Sequence, residues 1–286
     1  MPTPRKMSFF QGCCSADAGA WLDANGKFGT AMDDATFAVG VRLRLQDPSL
    51  ENHPSLRNKG CKNRCKVRGK SVLHSIDHMF LCDLSAGKRT AVHDAVRDEL
   101  LRFLAPAVST RSGKVKVTKE PFMVADLSFQ RRPGASAAAH QADVAVTSTN
   151  RDGKVEKIVI DVTGTYAGAG WGEGSSIDIL GGPMPAPGAD ARHAADRKIK
   201  HYDDNYLNTK SSVVPLAFET GVMYSEEAHT RLALASFDPS RGRVPSFSSL
   251  RRQLAERLAV TVQTGNARII QSYWGRHVSI PGAVGA

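Results

Sequence analysis

The sequence predicts an α/β protein with a mixed central sheet flanked by helices and preceded by a small metal knuckle. Three observations predict it. Helix-like and strand-like segments follow one another as helix, strand, strand pair, helix, strand. Two apolar, β-branched runs at 142–146 and 158–163 flank the turn-forming Thr149-Asn150-Arg151-Asp152-Gly153-Lys154, the pattern of a β-hairpin. Ahead of them, cysteines and histidines recur at metal-ligand spacing.

Bulk properties bound the reading. A chain of 286 residues accommodates one large domain or two smaller ones and buries a sizeable core. With 41% hydrophobic and 23% charged residues it is an ordinary globular sequence rather than a disordered one. The net charge of +10 is the electrostatic footprint of a nucleic-acid partner. The N-terminus lacks the apolar run of a signal peptide, and no stretch approaches the roughly 20 apolar residues of a membrane helix. We therefore expect an intracellular chain with no membrane partner and with reduced thiols. Five cysteines, an odd count, suit a metal site better than a disulfide framework.

In chain order, residues 1–55 read as a helical N-terminal segment, with Asp33 or Asp34 capping a helix that continues through Leu45. Residues 56–88 are basic and cysteine-bearing. A core of 89–240 opens with a helix over about 90–104, whose Val92, Val96, Leu100, Phe103 and Leu104 share one face before Pro106 stops it. The alternating Lys114-Val115-Lys116-Val117 is a strand, and the hairpin follows. Residues 164–190 are a glycine- and proline-rich surface loop; its Gly168-Ala169-Gly170-Trp171-Gly172 lacks the context of a phosphate cradle. A helix over about 189–207 carries Arg197, Lys198, Lys200 and His201, and 213–219 is a buried strand whose Pro215 favours an edge or a strand start. The C-terminal segment 241–286 is helical, with Leu250, Leu254, Leu258 and Val262 spaced by fours over 248–264.

Cys61-x3-Cys65, twelve residues, then His78-x3-Cys82 offers three thiolates and one imidazole, the ligand set of a closed tetrahedral Zn2+ site. His74 competes with His78 for the imidazole position, and Cys13-Cys14 lie too far away in sequence to be assigned. The interleaved Lys62, Arg64, Lys66, Arg68 and Lys70 surround the site with charge that suits a phosphate backbone.

Asp143 and Asp161 are the informative pair. Residue 152 is their midpoint, so a hairpin turning there puts their Cβ atoms about 4.5–5.5 Å apart. Like charges that close repel, and an acid inside Ile158-Val159-Ile160-Asp161-Val162 is costly to bury alone. A divalent cation between the two resolves both problems and, in a basic protein, implies phosphodiester chemistry. Hydrolysis also needs a cation that holds the attacking water; nucleases of the acid-x-lysine kind place it two residues after the second acid. Thr163 occupies that position, which leaves Lys198 and Lys200 as substitutes.

These motifs, taken in order, resemble the restriction-enzyme-like (PD-(D/E)xK-type) endonuclease region that follows reverse transcriptase in non-LTR retrotransposons, with its Cys-Cys-His-Cys zinc knuckle. Over roughly 15–235 the matching pieces are Phe37-x5-Leu43-Arg44-Leu45, Asp77-His78-x3-Cys82, Lys88-Arg89-Thr90-Ala91-Val92-His93-Asp94, Ala142-Asp143-Val144, Asp161-Val162-Thr163, Lys198-x3-Tyr202 and Pro215-Leu216-x2-Glu219. The resemblance implies a DNA endonuclease that nicks a target with Mg2+ or Mn2+. It makes Asp143 and Asp161 metal ligands, Lys198 the catalytic lysine, and His93 and Glu99 supporting residues on the first core helix. It further implies DNA and the element's RNA as partners, a reverse transcriptase domain or protein alongside, and nuclear residence. Val92 stands where the family has arginine, Ala142 where it has proline, and His201 where it has a second helix lysine. The competing readings are a catalytically decayed, zinc-stabilised nucleic-acid-binding module on the same scaffold, and a basic structural protein with salt-bridged carboxylates.

Overall fold

A computed structural model describes residues 19–24, 31–52, 61, 66–67, 70–71, 76–82, 85–110, 115–135, 140–149, 153–165, 188–209, 212–220 and 246–277. The segment begins with α1 (Ala20–Ala24) and α2 (Asp34–Arg44). Asp33 is the N-cap of α2, accepting from the Thr36 amide at 2.8 Å, so the first of the two candidate caps is the one used. The knuckle region contributes β1 (Lys66–Val67), β2 (Lys70–Ser71) and α3 (Ile76–Leu81). The remainder comprises α4 (Ala86–Thr110), β3 (Val115–Lys119), β4 (Val144–Thr149), β5 (Val155–Thr165), α5 (Ala189–Asn205), β6 (Val213–Glu219) and α6 (Phe247–His277).

The protein is α/β with a four-stranded mixed sheet in the order β3-β4-β5-β6. The first three strands are antiparallel and β6 runs parallel to β5, with α5 between them in sequence. β4 and β5 form the expected hairpin, and Gly153 in the turn region has φ of 78°, the left-handed conformation that favours glycine. Pro215 lies in β6 at the sheet edge, where a missing amide breaks no interior ladder.

Alternation along the strands divides the core into two layers. Val144, Val146, Ile160, Val162, Val214 and Leu216 face the side of α4 and α6; Ala145, Val159 and Val213 face Tyr202, Tyr206, Met123 and Leu127. The larger layer unites all four segments that the sequence separates. It joins Trp21 and Leu43 to Met79 and Cys82, to Val96 and Leu100, and to Leu258 and Ile270.

Three boundaries differ from expectation. Pro106 does not stop α4, which continues to Thr110; a proline removes its own amide bond but leaves later amides able to donate. β5 extends to Thr165, because β6 offers it a parallel partner through the pair Thr165↔Glu219. α6 runs to His277, well beyond 264, and it passes through Gly265. A Cβ at Gly265 would lie 2.5 Å from Cγ2 of Val92, so this glycine permits the close approach of α6 to α4.

The contact is specific enough to test. Gly265→Ala should destabilise the protein by about 1–3 kcal/mol through overpacking against Val92. Gly275→Ala on the same helix meets nothing within 4 Å and should stabilise by about 0.5–1 kcal/mol, through better helix propensity alone. Thermal denaturation of both variants checks the pair; two shifts of the same sign would contradict it.

Candidate active site and metal centre

The carboxylate pair is built by register. Val144 pairs with Ile160, so the next position along the ladder sets Asp143 opposite Asp161. The residue after β3 ties in the same point, with the Glu120 amide donating to the Asp143 carbonyl at 2.9 Å. Where β4 begins, the Asp143 side chain takes over the ladder: its Oδ2 accepts from the Val162 amide at 2.7 Å.

Each acid has its own cation. Lys198 Nζ reaches both carboxylate oxygens of Asp161 at 3.0 Å, and the Tyr202 hydroxyl donates to Oδ2 at 2.8 Å. Lys198 and Tyr202 are four residues apart on α5 and so share a face. Ala191, Ala194 and Ala195 of that helix pack on Ala217 of β6, and their small side chains let α5 lie close to the sheet. Lys200 is exposed and points off this face, which settles the sequence ambiguity in favour of Lys198 as the neighbour of the acids. Glu219, at the end of β6, accepts from the Ala191 amide at 3.0 Å and so caps the start of α5.

On the other side, His93 of α4 places Nε2 3.2 Å from Asp143 Oδ2 and 3.1 Å from the Val162 carbonyl. Both partners are acceptors, so Nε2 carries a proton. Nδ1 lies 3.3 Å from Asp94. The hydrogen bond to Asp143 raises the imidazole pKa to about 8 against the opposing effect of burial. Burial pushes the Asp143 carboxyl up, but the His93 hydrogen bond and charge outweigh it and hold that carboxyl below its usual range. Asp161 goes the other way. Its burial raises it, Lys198 and Tyr202 offset only part of that, and the charge on Asp143 adds to the rise. Burial, with Asp161 beside it, also keeps the Tyr202 phenol protonated.

A cleft of ≈ 470 Å³ opens beside His93 and Lys198, with the two acids behind its wall. Arg89, Thr90 and His93 of α4, Thr163 of β5, Lys198 of α5 and Asn266 of α6 line it.

Glu99 is not part of this arrangement. It lies six residues beyond His93 on α4, about 9 Å along the axis and a third of a turn away. Its buried carboxylate pairs with Arg257 of α6 and Arg102 instead. The supporting role expected from the resemblance is therefore replaced by one that fastens α6 to α4. Tyr202 is the converse case. Sequence reasoning quoted it in a motif without giving it a role, and its spacing from Lys198 was the available signal.

A second cluster gathers Cys61, His78 and Cys82, all buried, with their ligand atoms within 4.8 Å of one another. This set can hold a metal ion. Two thiolates about 2.3 Å from one tetrahedral zinc stand about 3.8 Å apart; the Cys61 and Cys82 sulfurs are 3.7 Å apart. Cys65, the expected fourth ligand, lies outside the described residues, as do His74, Cys13 and Cys14. The His78 ring packs edge-on against Tyr273 of α6, centroids 6.0 Å apart, which joins the knuckle to the main core.

No family model matches the sequence, and no curated protein matches it either. Among the described residues, no helix is long and apolar enough to cross a membrane.

Two predictions follow from the side-chain geometry. The His93 pKa is raised from 6.5 to about 8, so its bond to Asp143 contributes its full stability below pH 6.5 and loses it as pH rises through about 8. His93→Gln should accordingly destabilise the protein without added divalent cation more at pH 6 than at pH 9 in denaturant titrations; equal losses at both would contradict the assignment. At the knuckle, protein purified without chelator should carry one zinc per chain by elemental analysis. Cys82→Ser should lower both zinc content and thermal midpoint, and full occupancy in that variant would remove Cys82 from the site.

Proposed function

We propose that the chain is a divalent-metal-dependent DNA endonuclease, with the restriction-enzyme-like core that follows reverse transcriptase in non-LTR retrotransposons. One observation carries this reading: Asp143, just ahead of β4, stands one register step past the pair Val144↔Ile160 and so opposite Asp161 of β5, with Lys198 3.0 Å from the second acid. A mixed four-stranded sheet with a helical crossover, a net charge of +10 and a thiol-imidazole cluster ahead of the core all support it.

In this reading Asp143 and Asp161 hold Mg2+ or Mn2+. The bound ion supplies Lewis-acid polarisation of a phosphoryl oxygen and lowers the pKa of water. The chain's own groups do the rest. Tyr202 fixes the Asp161 carboxylate through one oxygen, and His93 with the Val162 amide fixes that of Asp143. Lys198 orients the attacking water and offsets charge on the pentavalent phosphorus. Water oxygen bonds to phosphorus, one phosphorus–oxygen bond breaks, and the departing sugar oxygen leaves with a proton.

Thr163 stands where the acid-x-lysine pattern has its lysine, two residues after Asp161, the feature behind the alternative of a decayed binding module. Lys198 supplies the missing cation from α5, which favours the enzyme. The knuckle would hold Zn2+ through Cys61, His78 and Cys82, with Cys65 the fourth ligand that the sequence spacing supplies. Target DNA and the element's RNA are the partners this function implies, with a reverse transcriptase to extend the nicked end, in the nucleus.

Incubation of purified protein with supercoiled plasmid and Mg2+ tests the proposal. Wild type should nick, Asp143→Asn and Asp161→Asn should not, and Lys198→Ala should slow nicking by about 10²–10⁴-fold. Asp161→Asn should keep or raise the thermal midpoint, because burial already disfavours the charge it removes. A wild type that leaves the plasmid supercoiled, or an Asp161→Asn variant that nicks normally, sinks the enzyme reading.

A further inference from the structure

Arg89 stands one helical turn before His93 on α4, so both side chains leave the same side of that helix. It lines the same cleft as His93, Thr163 and Lys198. Its Nη1 donates to the carbonyl oxygens of Phe80 at 2.6 Å and Cys82 at 3.0 Å. Those carbonyls lie at the C-terminal end of α3, where helix carbonyls lack intrahelical partners and attract a cation. Cys82 thus serves the knuckle twice, through its thiol in the metal cluster and its carbonyl on Arg89.

A guanidinium has five N–H donors, and Nη1 carries two of them. The two carbonyls account for both. Among the described residues, Nε and Nη2 make no other hydrogen bond and no carboxylate pairs with this arginine. The Nε–Nη2 edge is the planar fork that meets two phosphate oxygens side by side, a geometry an ammonium lacks. Backbone carbonyls hold the far edge, so little side-chain freedom is left to lose on binding.

We propose that Arg89 grips a phosphodiester of the bound nucleic-acid strand through this edge, next to the phosphate that faces Lys198 and His93. The proposal rests on reading the cleft as a DNA-cleavage site and names a residue that holds the strand there. Arg89 neither donates to the acids nor touches the reacting atoms in this assignment; it anchors the backbone.

Equilibrium binding of a labelled DNA duplex to the full chain tests it, with Ca2+ in place of Mg2+ and salt varied. Arg89→Gln should weaken binding about tenfold and reduce the slope of log affinity against log salt by about one. Arg89→Lys should keep the slope but lose affinity several-fold, because the charge remains and the fork does not. Zinc content and thermal midpoint are measured on the same samples. Wild-type affinity and slope in both variants, with only the midpoint lowered, would show a structural clamp on α3 and overturn the proposal. Zinc loss in step with affinity would overturn it too, since the effect would then pass through the knuckle. If Arg89→Gln does not fold, the Lys variant decides. Failure of the nuclease reading registers separately, as the absence of Asp161-dependent nicking, because binding here is read without turnover.

Discussion

A carboxylate buried inside a β-strand is the constraint around which this structure is arranged. Asp161 is only 5% exposed, and its strand neighbours Ile160 and Val162 belong to the hydrophobic core. Taking such a charge out of water costs several kcal/mol unless partners compensate it. The fold therefore brings an ammonium and a phenol to Asp161 from α5, and sets a second acid, itself bound by an imidazole and a backbone amide, across the ladder. The compensation is incomplete, since the Asp161 carboxyl remains raised.

The layers explain how the compensating groups arrive. α5 comes close because alanines line its sheet-facing side, and α4 brings His93 from the opposite layer to the point where β4 begins. α6 braces α4 at two places. One is a steric contact, where Gly265 receives Val92; the other is an ion pair, where Arg257 meets the buried Glu99. The knuckle joins the same core through Met79, Cys82 and the His78–Tyr273 contact. The thiol-imidazole cluster, bracing helix and cleft are thus parts of one packed unit, and Arg89 touches both the backbone at the end of α3 and the cleft.

Legibility in the sequence followed the range of the interaction. The hairpin was readable because its signals are local: an Asp-Gly turn between two β-branched runs sets a register by counting outward from residue 152. The three donors Cys61, His78 and Cys82 were readable from ligand chemistry and spacing. Lys198 was separable from Lys200 only once α5 had a face against the sheet, and Tyr202 gained its role by the same fact. The resemblance put Glu99 beside His93 on one helix, but a helix turns about 100° per residue, and Glu99 meets Arg257 of α6 instead. The spacing of fours in α6 was readable only to about 264; beyond it, packing such as Gly265 against Val92 carries the helix on to His277.

By itself the sequence determined the α/β order of elements, the strand register that opposes Asp143 to Asp161, and the presence of a thiol-imidazole cluster. Each of these depends on side-chain chemistry and on contacts between near neighbours in the chain. Only the tertiary structure decided which cation meets which acid, that His93 binds Asp143 while Glu99 serves the α4–α6 contact, and that Arg89 joins the end of α3 to the cleft. Those choices depend on the rotation of three helices about their own axes. Packing against the sheet and against one another sets that rotation, through groups such as Ala194, Ala217, Val92 and Gly265 that carry no chemistry of their own.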